Sequence, residues 1–494
     1  LFLQRLTTAR LHISARAVPY VPNRANRRIV MTKIERFFAN LKEKKVAFIG
    51  TGVTNNDIIR LFLKKGISIT LLDRKTPEKL GAIYEELKAA GVAFQLGDTY
   101  LDHLTDFDVV FRSPGMYYHN EKLQAARKQG VVITTEMEVF FDLCPCKIYA
   151  VTGSDGKTTT TTLISEFLQA SGVTVHKGGN IGRALLPIIE QIQDTDAAVV
   201  ELSSFQLLSM RQSPDVAVIT NIAPNHLDVH GTMEEYIQAK TNLIAHQNAF
   251  SKTILNADNA LTWNLAPMVR GMLVAFTRKT VPAYGAFLRE DGMLCYQNGD
   301  TCTPVVAASD IRIPGIHNVE NYLAAISAVW GEVSTDVIVQ VAKTFGGVEH
   351  RIEFVRERKG VKWYNDSIAT SPTRVLAGLN SFQTKLTVIM GGYDKKIPFE
   401  PMAETVCDKV KTVILMGVTA PKIEAAIRGA KNYQEGHPQL LHVETMEEAV
   451  QTADQITKPG DIVTLSPACA SFDKYPNFEE RGLHYKRLVK ELSE

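Results

Sequence analysis

The sequence predicts three successive α/β domains: a Rossmann-like N-terminal domain, a central domain of the P-loop ATPase type with a mostly parallel sheet, and a Rossmann-like C-terminal domain. Three observations predict this. From Lys45 to Asp73 the pattern is strand, glycine turn, helix, strand, the opening of a doubly wound unit. A second glycine-rich turn, Val151-Thr-Gly-Ser-Asp-Gly-Lys-Thr-Thr159, stands between an apolar strand, Lys147 to Val151, and a run with Leu163, Ile164, Phe167 and Leu168 at helical spacing. Beyond Arg351, the apolar runs 361–365, 386–390, 412–416 and 461–465 alternate with helical stretches, as in another α/β sheet. A chain of 494 residues is also too long for one core. The expected bounds are 31–135, 136–346 and 347–494, after a leader or extension over 1–30.

Composition is that of a globular protein, and a formal net charge of +2 carries no nucleic-acid signature. Six scattered cysteines argue for reduced thiols in a cytoplasmic protein, and Cys144-Pro-Cys146 has no second ligand pair at zinc spacing. No apolar run approaches the ~18–20 residues needed to span a bilayer. The first thirty residues carry Arg5, Arg10, Arg16, Arg24, Arg27 and Arg28 and no acid. They read either as a transit peptide or as sequence upstream of a true start at Met31, disordered in either case.

In the first domain, Gly50 and Gly52 supply the turn after strand 46–49, but Asn55 stands where a dinucleotide fingerprint has its third glycine. Asp73 ends the next strand, where a ribose-binding acid would stand. Ser113 and Gly115 follow strand 108–112 at a carboxyl end, as a ligand edge or a plain turn. In the central domain, Gly153 and Gly156 let backbone N–H groups face an anion at a helix N-terminus, Lys157 reaches outer phosphates, and Thr158 suits magnesium. The first glycine of the general motif falls at Val151.

Glu201, ending strand 197–201, suits a second magnesium position, or else caps the next helix together with Ser203 and Ser204. His226 and Asp228 follow strand 216–222. Thr232-Met-Glu-Glu235 is a capping box opening a helix that carries Lys240, which taken alone reads as a surface lysine. Asn318 and Asn321 read a purine edge or cap the helix from Tyr322. Residues 346–351 form a linker, and polar loops at 365–367, 391–395 and 466–473 end three strands on one sheet edge.

Together these motifs resemble the Mur ligase family: Thr152-Gly-Ser-Asp-Gly-Lys-Thr-Thr159, Gly179-Asn-Ile-Gly182, Glu201-Leu-Ser-Ser204, His226-Leu-Asp228, Lys240, His317-Asn318 with Asn321, and His350-Arg351. Within the family, Leu465 to Gly482 looks like the member that adds D-glutamate. The resemblance implies an ATP-dependent amide ligase of peptidoglycan precursor synthesis, a cytoplasmic monomer that joins D-glutamate to UDP-N-acetylmuramoyl-L-alanine through an acyl phosphate. Such bacterial chemistry favours Met31 as the start.

It further implies ATP contacts from Gly153, Ser154, Asp155, Gly156, Lys157, Thr158, Thr159, Asn318, Asn321, Arg351 and Asp366. Two Mg2+ sites would draw on Thr158, Glu201, His226 and a carbamylated Lys240, with Lys157, Glu201, His226 and Lys240 as the catalytic set. Thr54, Asp73, Arg74, Ser113, Gly115 and Asn180 would hold the UDP-substrate, and Lys395, Ser471 and Phe478 the D-glutamate. Ile368 stands where many members have lysine, which leaves a substrate contact missing or supplied elsewhere. A ligase adding another amino acid, an NAD-dependent oxidoreductase using the Gly50 turn, and a silent nucleotide-binding protein are the alternatives.

Overall fold

The computed structural model describes residues 31–224 and 230–493; of Val53 and Thr54 only the backbone is described. The expected leader and His226 lie outside the described residues. Three sheets follow one another along the chain. The first is fully parallel, with order β3-β2-β1-β4-β5, built from β1 (Val46–Ile49), β2 (Ile69–Asp73), β3 (Ala93–Leu96), β4 (Val109–Arg112) and β5 (Val132–Thr134). Its order reverses direction between β1 and β4, which opens a crevice at their carboxyl ends. Asn55 occupies the fingerprint's third position for a structural reason: its buried amide donates to the carbonyls of Ile49 and Gly50, both at 2.9 Å, and pins the turn.

The central sheet has nine strands in the order β14-β13-β12-β11-β10-β9-β6-β8-β7. Seven are parallel neighbours: β6 (Lys147–Thr152), β7 (Val175–Gly179), β8 (Ala197–Glu201), β9 (Val216–Ile219), β10 (Lys252–Asn256), β11 (Met272–Thr277) and β12 (Tyr284–Leu288). The hairpin strands β13 (Met293–Asn298) and β14 (Thr301–Ala307) add an antiparallel edge. The third sheet, order β15-β16-β20-β17-β18-β19, has β15 (Glu353–Arg358) antiparallel to β16 (Val361–Asn365). The rest is parallel: β17 (Leu386–Met390), β18 (Val410–Leu415), β19 (Gln439–His442) and β20 (Ile462–Leu465).

Strand alternation partitions the cores. Along β6, Ile148 and Ala150 enter a core shared with Phe48 and Phe111 of the first sheet, whereas Tyr149 and Val151 face the helices Lys157–Ala170 and Ile316–Val329. The first two sheets are therefore joined by one apolar cluster. Polar contacts reinforce it: the buried Arg112 guanidinium donates to Ser209 Oγ at 3.1 Å, and Tyr117 to Glu235 at 3.2 Å. Among the described residues no helix is long and apolar enough to cross a membrane.

Candidate active site

The phosphate loop connects β6 to the helix Lys157–Ala170, and its two glycines are required by space as well as by torsion. Gly153 has φ 152°, and a Cβ there would lie 1.9 Å from Thr220 Oγ1; Gly156 has φ 76°, and its Cβ would lie 2.4 Å from Asn321 Oδ1. Only a glycine fits either position. Lys157 folds back so that its Nζ donates to the carbonyls of Gly153 (3.0 Å) and Ser154 (2.8 Å), which keeps its ammonium at the loop's mouth. Burial lowers its pKa, and the charges of Glu201 and Asp155 oppose that shift.

Lys240 is not the surface lysine that its helix position alone suggests. The helix Met233–Ala245 carries it beneath the loop, 1% exposed, with its Nζ donating to Gly153 O at 2.8 Å and lying 3.4 Å from Thr152 Oγ1. Two lysines thus share one carbonyl. Burial first, then the charge of Lys157, brings Lys240 down to a pKa of about 7. The helix starts as expected, with Thr232 accepting from Glu235 N; the Glu235 side chain, however, accepts from Tyr117 of the first sheet's edge.

Glu201 ends β8, the strand beside β6, and is 1% exposed. Asn180 holds it, donating its amide to Oε1 at 2.7 Å and its N–H to the Glu201 carbonyl at 2.8 Å. Among the described residues Oε2 has no partner. A buried carboxylate with one free oxygen, next to a phosphate loop and the half-buried Thr158, fits a hard divalent cation such as magnesium. The alternative capping role falls to Ser203, which forms a full capping box with Gln206.

Of the expected ATP contacts, several brace the loop. Ser154 is buried and bonded to Ala223 and the Tyr236 hydroxyl; Asp155 accepts through its carbonyl from Thr220 and is itself exposed. Thr159 is buried on the loop helix. Asn321 accepts from Thr160 at 3.3 Å and donates to Asn318, whose own amide bonds Pro314 O at 2.5 Å. Asn321 thus ties the helix Ile316–Val329 to the first turn of the helix Lys157–Ala170, and Asn318 bonds back to the segment before its own helix, whose N-cap is Gly315.

At the first sheet's crevice, Asp73 ends β2 and Arg74 follows it, and Ser113 and Gly115 follow β4; Thr54 lies in the first turn of the helix Val53–Lys64. Both oxygens of Asp73 serve the fold, accepting from Thr51 and from Lys75 N. Arg74 is exposed. The Ser113 turn is set by Arg112, which donates to the carbonyls of Ser113 and Met116. Asn180 stands apart from this group, beside Glu201.

The third sheet brings its three loops together because β16, β20 and β17 are adjacent and parallel. Asp366 is buried, accepts from Ser466 Oγ (2.9 Å) and Ile352 N (3.3 Å), and is pushed up to a pKa of about 7 by that burial. Arg351 is exposed, and its charge adds to the burial that lowers the pKa of Lys157. Lys395 donates to Thr370 O at 3.2 Å; Ser471 is buried after β20, and Phe478 starts the helix Phe478–Glu491 with its ring 5.9 Å from that of His350.

Arg374 went unnoticed in the sequence. Its guanidinium donates to Ile368 O at 3.0 Å, has no ion-pair partner among the described residues, and lowers the pKa of Lys395, as Arg481 does. Burial and the charge of Arg351 lower its own. The lysine absent at 368 has an arginine beside it; the one clue in the sequence was a basic residue six positions past Ile368.

Three family descriptions match in succession: "Mur ligase MurD-like, N-terminal domain" over 44–135, "Mur ligase middle domain" over 151–329 and "Mur ligase, glutamate ligase domain" over 350–469. The chain belongs to the Mur ligase family. As such it is an ATP-dependent amide-bond ligase of peptidoglycan synthesis, built of three α/β domains. It is 50% identical to the UDP-N-acetylmuramoylalanine--D-glutamate ligase of Acetivibrio thermocellus over 93% of this chain and 99% of that one. The ligase of the same name from Clostridium perfringens is 46% identical over 92% of this chain and 98% of that one. A solved Mur ligase, UDP-N-acetylmuramate-alanine ligase from Thermotoga maritima, shares the fold with TM-score 0.54 at 18% identity, covering 91% of this chain and 99% of that one.

Proposed function

We propose that this Mur ligase adds D-glutamate to UDP-N-acetylmuramoyl-L-alanine, as a cytoplasmic monomer with domains bounded near 135 and 346. The observation that carries the reaction is the convergence of Lys157, Lys240 and the free oxygen of Glu201 on one phosphate loop. The substrates are supported by the activity for which the relatives at 46–50% identity are named.

The L-alanyl carboxylate takes the γ-phosphoryl group of ATP, forming an acyl phosphate and ADP. The D-glutamate amine then attacks the acyl carbon, phosphate leaves, and the amine gives up a proton. Lys157 and the loop N–H groups hold and neutralise the phosphates. Magnesium, when bound, screens the phosphate charge; Thr158 and Glu201 would hold one ion, and His226 with a carbamylated Lys240 a second. Asn318, Asn321, Arg351 and Asp366 complete the ATP site. Thr54, Asp73, Arg74, Ser113, Gly115 and Asn180 position the UDP-substrate.

D-glutamate sits against Lys395, Ser471 and Phe478, and Arg374 supplies the cation that Ile368 lacks. A charge-assisted contact of this kind contributes about 1.5–3 kcal/mol, so Arg374→Ala raises the KM for D-glutamate roughly 10- to 100-fold and leaves that for ATP little changed. Adding Ile368→Lys to Arg374→Ala restores part of the loss. Equal shifts in both KM values would return Arg374 to the scaffold. The main test is an amino-acid panel with UDP-N-acetylmuramoyl-L-alanine, ATP and magnesium, following phosphate release. D-glutamate stands above the rest; release no greater than with other amino acids overturns the assignment.

A further inference from the structure

Cys144 and Cys146 flank Pro145 at the joint between the first sheet and the phosphate-loop strand. Cys144 ends the helix Glu136–Leu143 with φ −60° and ψ 123°, and Cys146 leads directly into β6. Proline fixes its own φ and holds the preceding residue extended, which restrains the segment between the two thiols. Their Sγ atoms lie 3.5 Å apart, about 1.5 Å more than a disulfide bond. Cys144 is half-buried. Cys146 is buried from bulk solvent but lines an open cavity of about 480 Å³ with Lys147, Asp215, Phe250 and Lys252; a small oxidant therefore reaches Cys144 through its own half-exposed face and Cys146 through the cavity.

The two thiols are not equivalent. The contact between the two sulfurs holds the Cys144 thiol below its ordinary range, and that same contact, with burial, pushes Cys146 up. Of the two, Cys144 is the thiol that ionises first and so attacks as the thiolate, and Cys146 holds its proton to higher pH. Cys146 belongs to the apolar cluster shared by the first two sheets, together with Phe140, Leu143 and Ile148. The strand that follows it, Lys147–Thr152, ends where the glycine-rich loop starts.

We propose that Cys144 and Cys146 form a dithiol that peroxide closes to a disulfide, and that closure lowers turnover by drawing the end of the helix Glu136–Leu143 toward the start of β6. The Cys144 thiolate attacks one oxygen of hydrogen peroxide, breaking the O–O bond; hydroxide leaves and takes up a proton as water, and Cys144 becomes a sulfenic acid. Cys146 sulfur then attacks that sulfur, its proton leaves with the departing hydroxyl as a second water, and the S–S bond forms. Two thiols and one peroxide give one disulfide and two waters.

The test treats the whole purified chain with hydrogen peroxide, removes it, and follows thiol alkylation and peptide mass beside phosphate release. The peptide holding residues 144–146 is expected to lose two hydrogens and both alkylation sites, while turnover falls by more than half and returns with dithiothreitol. Cys144→Ser and Cys146→Ala should keep their turnover under the same treatment. The thiol readout needs no substrate, so it stands apart from the proposed reaction. Both thiols remaining alkylatable, a sulfinic acid on Cys144 alone, closure with unchanged turnover, or equal inactivation of the two variants would each overturn the proposal.

Discussion

Lys157→Ala lowers kcat/KM for ATP-dependent phosphate release by roughly 10²–10³-fold or more, the cost of removing one preorganised charge from a phosphoryl-transfer site. Two effects add. The ammonium at the loop's mouth is lost, and with it the counter-charge to the transferred phosphoryl group. The charge of Lys157 also helps to keep Lys240 near a pKa of about 7, so its removal lets Lys240 hold its proton to higher pH. Part of the loss is therefore recovered as pH rises. Thermal stability changes little, because the side chain is half-buried and bonds only to carbonyls of its own loop. Phosphate release measured from pH 6.5 to 9 checks both parts, and near-normal activity would remove the loop lysine from the reaction.

What the sequence made legible follows from how locally each feature is encoded. The buried strands β6, β8, β16, β17 and β20 are apolar runs bounded by turn residues, and they lie within a residue or two of where the pattern places them. Glu201 was readable because an acid closing such a run is conspicuous. The hairpin edge β12 to β14 and strand β15 were not read. Four of the six residues of Glu353-Phe-Val-Arg-Glu-Arg358 are charged, and pairing with β16 across the turn at Lys359 and Gly360 makes it a strand. Lys240, Arg374 and Asn321 share another limit. Each takes its meaning from a partner far along the chain or in the next turn of backbone: Gly153, Ile368 and Thr160 respectively. No local pattern encodes such a contact, and a lysine on an amphipathic helix reads as solvated until the helix is docked.

Lys240→Ala is expected to abolish turnover, and short carboxylic acids should restore part of it. The argument begins with charge. A cation buried 2.8 Å from a carbonyl and beside Lys157 is a poor neighbour for magnesium, whereas a neutral amine reacts with carbon dioxide to give a carbamate and a proton, turning the position into an oxygen ligand. At a pKa of about 7 roughly half the amine is neutral near pH 7, so the reaction needs no further activation. Formate or acetate entering the space left by alanine replaces those oxygens without the covalent link, and rescue therefore saturates with acid concentration. The same shift predicts a stability difference. Between about 7 and 10.5 the folded chain leaves Lys240 unprotonated while the unfolded chain binds that proton, so this group makes stability rise with pH across the window, and the slope is smaller in Lys240→Ala. Urea unfolding of parent and variant at pH 6.5 and 9 measures it. A variant as active as the parent, or rescued equally by an uncharged amide of the same size, would show that Lys240 carries no carboxylate in the working enzyme.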